Sequence, residues 1–237
     1  DVLSNKDNKV IGDRAFGSDP GKVSAFVSSA IRGLQTNGVL ACAKHFPGHG
    51  DTSIDSHFNL PIIKKNMEDL KSMDLPPFVK AIKARVEFVM MAHVIIEGLD
   101  PELPCSLSSK AYDLLRDELR FTKLIITDDM QMKAIADRYS TSDAAAMAII
   151  AGADIIEYRD MNHAKLGLEG LKEAVKNKTL KVDQVKKKYD RILECKKTYL
   201  SEYTPNYIPD INKVVGIKSS ENLIKEVHEK IEFISQE

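Results

Sequence analysis

The sequence has few of the features that mark several protein classes, and each shortage excludes one of them. Its three cysteines are far apart and match no zinc spacing, so we predict free packing thiols rather than disulfides or a structural metal site. It has no apolar run of about 18 residues, so no transmembrane helix is predicted. Its formal net charge is −1, with lysine and arginine spread along the chain, so nothing favours nucleic acid as a partner.

The opening segment, DVLSNKDNKV, lacks the basic-then-apolar profile of a signal peptide. Free cysteines favour a reducing compartment, which makes the cytoplasm the expected location. The segment is polar and resembles a loop that follows a strand lying further upstream. A removed signal peptide, and with it the cell envelope or secretion, therefore stays open.

The chain does contain short apolar runs that alternate with amphipathic stretches. Four of these runs are rich in β-branched residues and nearly continuous in apolar character, which is typical of strands buried on both faces of a parallel sheet. They are residues 38–45, 86–94, 122–129 and 153–158. Helical patterns lie between them, and the pattern over residues 19–38 has a proline near its first turn and a glycine just past its end. This alternation predicts βαβ units, hence a (β/α) barrel or a doubly wound sheet.

Four strands are too few for a closed eight-stranded barrel, which takes about 250 residues in full. The sequence therefore predicts an open sheet or one part of a barrel. After the fourth strand come two helical patterns and then the proline-containing residues 203–213, which are typical of a linker. A final amphipathic stretch ends the chain.

Reactive side chains follow or end three of the four predicted strands. Lys44 and His45 end the first, His93 lies in the second, and Asp128 and Asp129 end the third. Functional groups in parallel α/β folds gather where strands end and loops begin. We therefore expect an active site at this edge of the sheet.

The stretch AKHFPGHGDTSIDSH contains three histidines and two aspartates, the donor types of a transition-metal site. Its spacing fits no familiar ligand pattern, and the Lys44 ammonium would repel a cation. The favoured interpretation of FPGHGD is a tight turn that uses the backbone freedom of Gly48 and Gly50, with His49 satisfied by the backbone.

The DSH triplet within this stretch is more specific. Asp55 and His57 are two residues apart, so in extended backbone their side chains lie on the same side. The carboxylate can then accept one imidazole N–H and leave the other nitrogen to move a proton near neutral pH. A polar surface turn is the alternative.

LIITDDM ends a buried strand with two adjacent carboxylates, of which only one can face the sheet interior. A carboxylate there could bind Mg²⁺, act as a base or attack carbon as a nucleophile. The alternative is a helix N-cap before Met130. We expect Asp128 to lie in the site and Asp129 near the cap.

Taken in order, IGDRAFGSDP, AKHFPGHGDTSIDSHFNLP, MAHV and LRDELRFTKLIITDDMQMKAI resemble bacterial β-N-acetylhexosaminidases of glycoside hydrolase family 3. KHFPGHGDT followed by DSH is the most specific part of a resemblance that covers about residues 1–200. It implies a partial TIM-like (β/α) barrel, with residues 1–202 as the C-terminal portion of the catalytic domain and residues 203–237 as a linker and helix leading to a second domain. Family barrels have further strands upstream of IGDR, so a missing segment or a partner chain is expected to complete the barrel. Whether this chain alone is active stays open.

The resemblance also implies a reaction and roles for single residues. Asp128 is the implied nucleophile that forms a covalent glycosyl-enzyme, and His57 is the implied acid/base, oriented by Asp55. The residues implied to hold the hydroxyls of the sugar are Arg14, Lys44 and His45. The implied activity is a retaining hydrolysis of terminal β-linked N-acetylglucosamine from peptidoglycan or chitin-type fragments, with no cofactor and no metal.

Other functions stay open at this point. A histidine acid/base is neutral when deprotonated and repels an anionic nucleophile less than a carboxylate would, so a β-N-acetylglucosaminide phosphorylase is one alternative. A metal-dependent hydrolase and a non-catalytic carbohydrate-binding remnant are the others. In each reading the expected partner is a small carbohydrate, an N-acetylglucosaminide in the favoured one, with neither nucleic acid nor a membrane span involved.

Overall fold

The structure is a computed structural model that describes residues 1–52, 60–205, 211, 213 and 215–236, with side chains in the last helix described as far as residue 229. The chain divides into two compact units, Asp1–Cys195 and Lys196–Glu237. The expected division into residues 1–202 and 203–237 stays a prediction, since compactness alone does not define a functional domain.

The first unit is built on four parallel strands in the order β1–β3–β5–β6. Their bounds are β1 Cys42–Phe46, β3 Phe88–Met91, β5 Leu124–Asp129 and β6 Ile155–Glu157. Two short strands, β2 Ile62–Ile63 and β4 Ile95–Ile96, pair in parallel as a separate ladder. The predicted α/β fold with parallel strands is confirmed, and among the described residues the four main strands form an open sheet.

Helices precede, connect and follow the strands. They are α1 Pro20–Thr36, α2 Met67–Asp69, α3 Leu75–Lys83, α4 Ser109–Asp113, α5 Lys133–Ala136, α6 Thr141–Ala151, α7 Met161–Lys176 and α8 Val182–Leu200, and the second unit contains α9 Lys218–Gln236. Single π-helical turns, Leu70–Asp74 and Leu114–Glu118, follow α2 and α4, and a 3-10 turn covers Gly12–Arg14. Within the described parts of the chain, no helix combines the length and apolar character needed to cross a bilayer.

Helix α1 shows how local sequence sets an element. Asp19 precedes it and its side chain accepts the N–H of Lys22 at 2.7 Å, which satisfies one donor of the first turn. Pro20 is the first helical residue, where a missing N–H costs nothing. Val23 and Ile31, on one face, are buried in the core. The helix predicted within residues 19–38 is therefore confirmed as Pro20–Thr36, with Gly38 past its end as the pattern predicts.

Alternation along the strands gives the sheet two different faces. On β3 and β5, Val89 and Ile125 are fully buried in the main apolar cluster. Their neighbours Met90 and Ile126, which lie on the opposite face, are only half-buried. Asp128 is two residues beyond Ile126 on this second, more open face. The strand pattern thus places a carboxylate at its carboxyl end.

A second carboxylate ties the amino end of the sheet to its surroundings. Asp154 immediately precedes β6, and its side chain is fully buried. Arg116 donates to it at 2.6 Å, the backbone N–H of Ile125 donates at 2.9 Å, and Arg191 of α8 forms a further ion pair. Because the carboxylate is paired on both oxygens, this end of the sheet is held by a charge network rather than by apolar packing alone.

Candidate active site

The carboxyl ends of the strands bring most of the predicted site residues together. His45 Nε2 on β1 lies 3.8 Å from Asp128 Oδ2 on β5. Both side chains face one small polar cavity of about 70 Å³. Its lining residues are Val10, Arg14, Lys44, His45, His49, Asp128 and Met132. The remaining two predicted site residues, Asp55 and His57, lie outside the described residues.

Asp128 is the carboxylate that faces this cavity. Its side chain is 20% exposed and accepts a hydrogen bond from the backbone N–H of Asp129 at 2.8 Å. Burial alone would raise the pKa of Asp128, but the hydrogen bond from this N–H and the charge of the Lys44 ammonium favour the ionised form, and the pKa is lowered. Asp128 is therefore an ionised carboxylate at neutral pH, as a nucleophile requires.

Asp129 is used differently, although it is the next residue. Its Oδ1 accepts the backbone N–H of Gln131 at 2.9 Å, and its Oδ2 pairs with Arg159 Nε at 2.6 Å. Helix α5 begins only at Lys133, so Asp129 closes a turn before the helix and does not cap it. The sequence predicts Asp129 near the cap of this helix; in the structure it lies before the N-cap residue, Met132, and bonds within the turn after β5 instead.

His45 is held on its far side by Asp1. The imidazole Nδ1 lies 2.7 Å from Asp1 Oδ2, and the backbone N–H of His45 donates to Asp1 Oδ1 at 3.1 Å. Burial lowers the pKa of His45 to about 3 in spite of the Asp128 charge. The imidazole is therefore neutral at neutral pH, and its Nε2 faces the cavity and Asp128.

His49 lies in the turn that follows β1. Its backbone N–H donates to Asp1 Oδ1 at 2.8 Å, and its ring Nδ1 lies 3.0 Å from the hydroxyl of Thr52. Burial lowers its pKa to about 4. The expectation that the backbone satisfies His49 is thus only partly right, because a side-chain hydroxyl bonds to the ring.

The same turn requires its glycines, as the sequence predicted. Gly48 has φ +149°, and a Cβ there would lie 2.7 Å from Asp74 Cβ. A Cβ at Gly50 would overlap the backbone of Val2. Asp74 is itself buried and pairs with Lys65 at 2.7 Å. The close approach of the opening segment, which sequence spacing does not show, is therefore a second reason for glycine here.

His93 follows β3, and its side chain bonds to the backbone at the end of β5. It is 1% exposed, and burial lowers its pKa, so the ring is neutral. Since a carbonyl can only accept, Nε2 donates to the backbone oxygen of Asp129 at 3.1 Å. The other nitrogen, Nδ1, lies 2.7 Å from the hydroxyl of Ser106, which donates to it. His93 therefore fixes the backbone next to Asp128.

Two cations line the cavity. Arg14 is the last residue of the 3-10 turn, and its guanidinium donates to the carbonyl of Val10 at 3.1 and 2.6 Å, so it is turned toward its own segment. Lys44 is an exposed residue on β1. Both belong to the lining of the cavity, and their predicted contacts with a sugar stay predictions.

Sequence reasoning missed three residues near the site. Asp1 binds His45 and His49 across more than forty residues, and Arg159 pairs with Asp129. Glu157 ends β6, and burial together with the charges of Asp128 and Asp129 raises its pKa. Asp1 and Arg159 act through contacts between segments far apart in sequence. Glu157 alone had a signal, because it lies near the end of the predicted strand over residues 153–158, as the other site residues do in theirs.

A metal centre has little support from the donor arrangement. Among the described residues, no group of three or more histidine, cysteine, aspartate and glutamate side chains is placed to hold an ion. The Lys44 ammonium lies on the same cavity as His45 and Asp128, and its charge opposes a cation there.

Comparisons with known proteins give a consistent result. Residues 1–195 match the N-terminal domain of glycosyl hydrolase family 3. The chain is 36% identical over 202 residues to the β-hexosaminidase LpqI of Mycobacterium tuberculosis, which covers 83% of this chain and 52% of that protein. It is 38% identical over 155 residues to a β-hexosaminidase of Nitrosomonas eutropha, which covers 65% of this chain and 44% of that protein. The chain thus spans about half the length of these relatives.

Solved structures agree with this match. The fold is similar to a glycoside hydrolase family 3 β-N-acetylglucosaminidase from Paenibacillus sp. str. FPU-7, with a TM-score of 0.84 and 36% identity over 87% of this chain and 40% of that chain. It is also similar to the β-glucoside phosphorylase BglX, with a TM-score of 0.81 and 26% identity over 86% of this chain and 39% of that chain. The family resemblance inferred from the motifs is confirmed.

Proposed function

Because the chain belongs to glycosyl hydrolase family 3, we propose that the protein hydrolyses terminal β-linked N-acetylglucosamine with net retention. One observation carries the proposal: the Asp128 carboxylate, near the carboxyl end of β5, lines the same small cavity as Arg14, Lys44 and His45. The names of the relatives, β-hexosaminidase and β-N-acetylglucosaminidase, support the substrate class. Peptidoglycan and chitin-type fragments are the expected sources of such a sugar.

In the first step, Asp128 attacks the anomeric carbon and the bond from that carbon to the leaving oxygen breaks. The product is a covalent glycosyl-enzyme ester. The lowered pKa of Asp128 supports this role, because the attacking oxygen must be unprotonated. His93 supports it as well, since it holds the backbone of Asp129 beside the nucleophile.

The proton in this mechanism is moved by His57. It gives the proton to the leaving oxygen in the first step and takes one from water in the second, while Asp55 accepts the other imidazole N–H. Both residues lie outside the described residues, so the proposal for them rests on the DSH motif and on the ordinary pKa of histidine. Water then attacks the anomeric carbon, frees Asp128, and restores the original configuration.

The sugar is held by the other groups of the cavity. Lys44 and Arg14 offer donors to its hydroxyls, and a bound sugar is expected to draw the Arg14 guanidinium from the carbonyl of Val10. His45 offers its Nε2 beside Asp128. These contacts would orient the anomeric carbon toward Asp128.

The test uses the full-length protein and a 5-fluoro N-acetylglucosaminyl fluoride, which forms a slowly hydrolysed ester with the nucleophile of a retaining enzyme. We expect mass spectrometry to find the sugar on the peptide that contains Asp128, and NMR of a turned-over nitrophenyl substrate to show the β-anomer first. Asp129→Asn is the matched control and should still be labelled. An α-anomer formed first, or a label on another residue, would refute the proposal.

Phosphorolysis is the second candidate, favoured by the similarity to the β-glucoside phosphorylase BglX. In that reaction phosphate rather than water attacks the glycosyl-enzyme. Turnover in phosphate buffer and in a phosphate-free buffer separates the two. N-acetylglucosamine 1-phosphate as the main product in phosphate would favour phosphorolysis, and free N-acetylglucosamine in both buffers supports hydrolysis.

The two remaining alternatives are tested in the same assay. Turnover that survives exhaustive chelation, with no metal found by elemental analysis, would rule out a metal-dependent hydrolase. Calorimetric binding of N-acetylglucosamine without any turnover of the nitrophenyl substrate would favour a non-catalytic carbohydrate-binding protein.

A further inference from the structure

One carboxylate binds the site loop at three points. The side chain of Asp1 is only 4% exposed. Its Oδ1 accepts the backbone N–H groups of His45 and His49 at 3.1 and 2.8 Å, and its Oδ2 lies 2.7 Å from His45 Nδ1. Two of these contacts fix the path of the backbone, and the third fixes a ring.

The ring contact determines where the proton of His45 lies. An ionised carboxylate can only accept, so Nδ1 must carry the hydrogen. Burial lowers the pKa of His45 to about 3, so a second proton on Nε2 is disfavoured at neutral pH. Nε2 therefore faces the cavity with a lone pair.

This lone pair faces another acceptor. Asp128 Oδ2 is 3.8 Å away, which is beyond hydrogen-bond distance. Two acceptors side by side leave Nε2 ready for a donor from the substrate. Asp128 therefore receives no hydrogen bond from the His45 imidazole. Such a hydrogen bond would weaken the carboxylate as a nucleophile.

We propose that Asp1 is a positioning residue that holds His45 as a hydrogen-bond acceptor, so that the sugar hydroxyl meeting Nε2 must donate its proton. The inference rests on the proposed function for the identity of the ligand. The tautomer of His45 does not depend on the proposed function, because it can be measured without substrate. A residue that only shaped the loop would have no effect on that tautomer.

Asp1→Asn separates the two roles. The amide oxygen can still accept the backbone N–H groups, while the amide NH₂ faces Nδ1 and donates to it. The proton then moves to Nε2, and a small shift of the ring from its 3.8 Å separation would bring this N–H within hydrogen-bond distance of Asp128 Oδ2. The loop stays in place, but the acceptor is lost and the nucleophile is partly masked.

The first experiment measures the tautomer of His45 by ¹⁵N NMR of the full-length protein labelled at histidine, with His45→Gln to assign the signal. We expect a protonated Nδ1 and a bare Nε2 in the wild type, and the reverse in Asp1→Asn. Asn8→Ala is the matched control, because Asn8 holds the same loop through the carbonyl of His49 at 2.7 Å without touching the ring. It should leave the tautomer unchanged. A wild-type ring protonated on Nε2 would overturn the proposal even if Asp1→Asn failed to fold.

The second experiment uses nitrophenyl N-acetylglucosaminides with one hydroxyl at a time replaced by hydrogen or by fluorine. Fluorine can accept but cannot donate, so at the hydroxyl that meets Nε2 both analogues should lose about tenfold or more in kcat/KM. This loss should shrink in Asp1→Asn. If fluorine restored the rate at every position, no hydroxyl would act as the donor to His45, and the proposal would be wrong. If no nitrophenyl substrate turned over at all, the proposed function would fail while the NMR result stood.

Discussion

The two ends of the sheet each contain an important carboxylate, and these differ in how they are used. Asp154, at the amino end of β6, is fully buried and is bound by Arg116, by Arg191 and by a backbone N–H. Asp128, at the carboxyl end of β5, is 20% exposed and accepts one backbone N–H, with the neutral His45 3.8 Å away.

The difference follows from what each group is available to do. The oxygens of Asp154 are paired with guanidinium groups and join the sheet to two helical segments, so its contribution is to stability. Asp128 keeps an oxygen directed at a polar cavity, and among the described residues no cationic group lies at hydrogen-bond distance from it. In parallel α/β folds the carboxyl ends carry chemistry and the amino ends carry stability, and the proposed role of Asp128 and the buried pairing of Asp154 fit that division.

The largest expected effect comes from a substitution at the carboxyl end of the sheet that leaves the amino end unchanged. Asp128→Asn should reduce turnover of a nitrophenyl N-acetylglucosaminide by at least about 10⁴-fold, because the amide cannot form the glycosyl ester. The thermal midpoint and the calorimetric binding of N-acetylglucosamine should stay close to the wild-type values. Activity above one tenth of the wild type would mean that another residue is the nucleophile.

The next prediction tests whether His57 and Asp55 of the DSH motif act in the same site as Asp128. His57→Ala should slow glycosylation by about 10²–10⁴-fold for substrates with poor leaving groups, and much less for dinitrophenyl leaving groups that need no proton. Asp55→Ala should show a milder version of the same pattern. An equal loss for all leaving groups would remove the general-acid role.

The complementary prediction concerns the charge network at the amino end of the sheet. Asp154→Asn should lower the free energy of unfolding by about 3–5 kcal/mol, because Arg116 and Arg191 are left without their anionic partner. The kcat per folded molecule, measured well below the thermal midpoint, should change less than about twofold. Asp190→Asn is the matched control: its pair with Lys186 at 2.6 Å is exposed, so its loss should change the free energy of unfolding far less. Equal effects of the two variants would contradict the comparison.

The smallest effect is the stability cost of the buried imidazoles at the carboxyl end. The pKa of His49 is lowered to about 4 in the folded state from an ordinary value of 6.5, so between these pH values the unfolded chain binds a proton that the folded chain does not. Stability therefore falls as the pH falls through this window, by up to about 3 kcal/mol from this group.

His49→Gln should remove that part of the pH dependence, measured by urea unfolding followed by circular dichroism from pH 8 to pH 4. At pH 8 the ring is neutral in both states, so the comparison there gives the pH-independent cost of the substitution. An unchanged slope between pH 6.5 and pH 4 would mean that His49 is not buried as a neutral ring.

The strands show which of their features a sequence pattern can predict. The apolar run over residues 86–94 predicts a strand, and the structure has one, but only over Phe88–Met91. Val86 and Glu87 are buried as well, yet the ladder begins at Phe88, which faces Cys42 on one side and Leu124 on the other. Apolar patterning reports burial, whereas strand limits are set by where neighbouring strands begin to pair.

The site shows the same division. Lys44, His45, His93 and Asp128 could be placed together from sequence, because carboxyl ends of adjacent parallel strands meet at one edge. Their individual states could not be. The neutral state of the His45 ring depends on burial, its tautomer depends on Asp1, and the separate use of Asp129 depends on Arg159.

By itself, the sequence determined the alternation of strands and helices, the edge where the reactive side chains gather and, through its motifs, the family. These depend on periodicity and on residue type, which are local. Only the tertiary structure decided which carboxylate is available and which is paired, and which nitrogen of His45 faces the cavity. Those outcomes depend on hydrogen-bond partners such as Asp1 and Arg116, which lie far away in sequence and contact the site or the sheet only when the chain has folded.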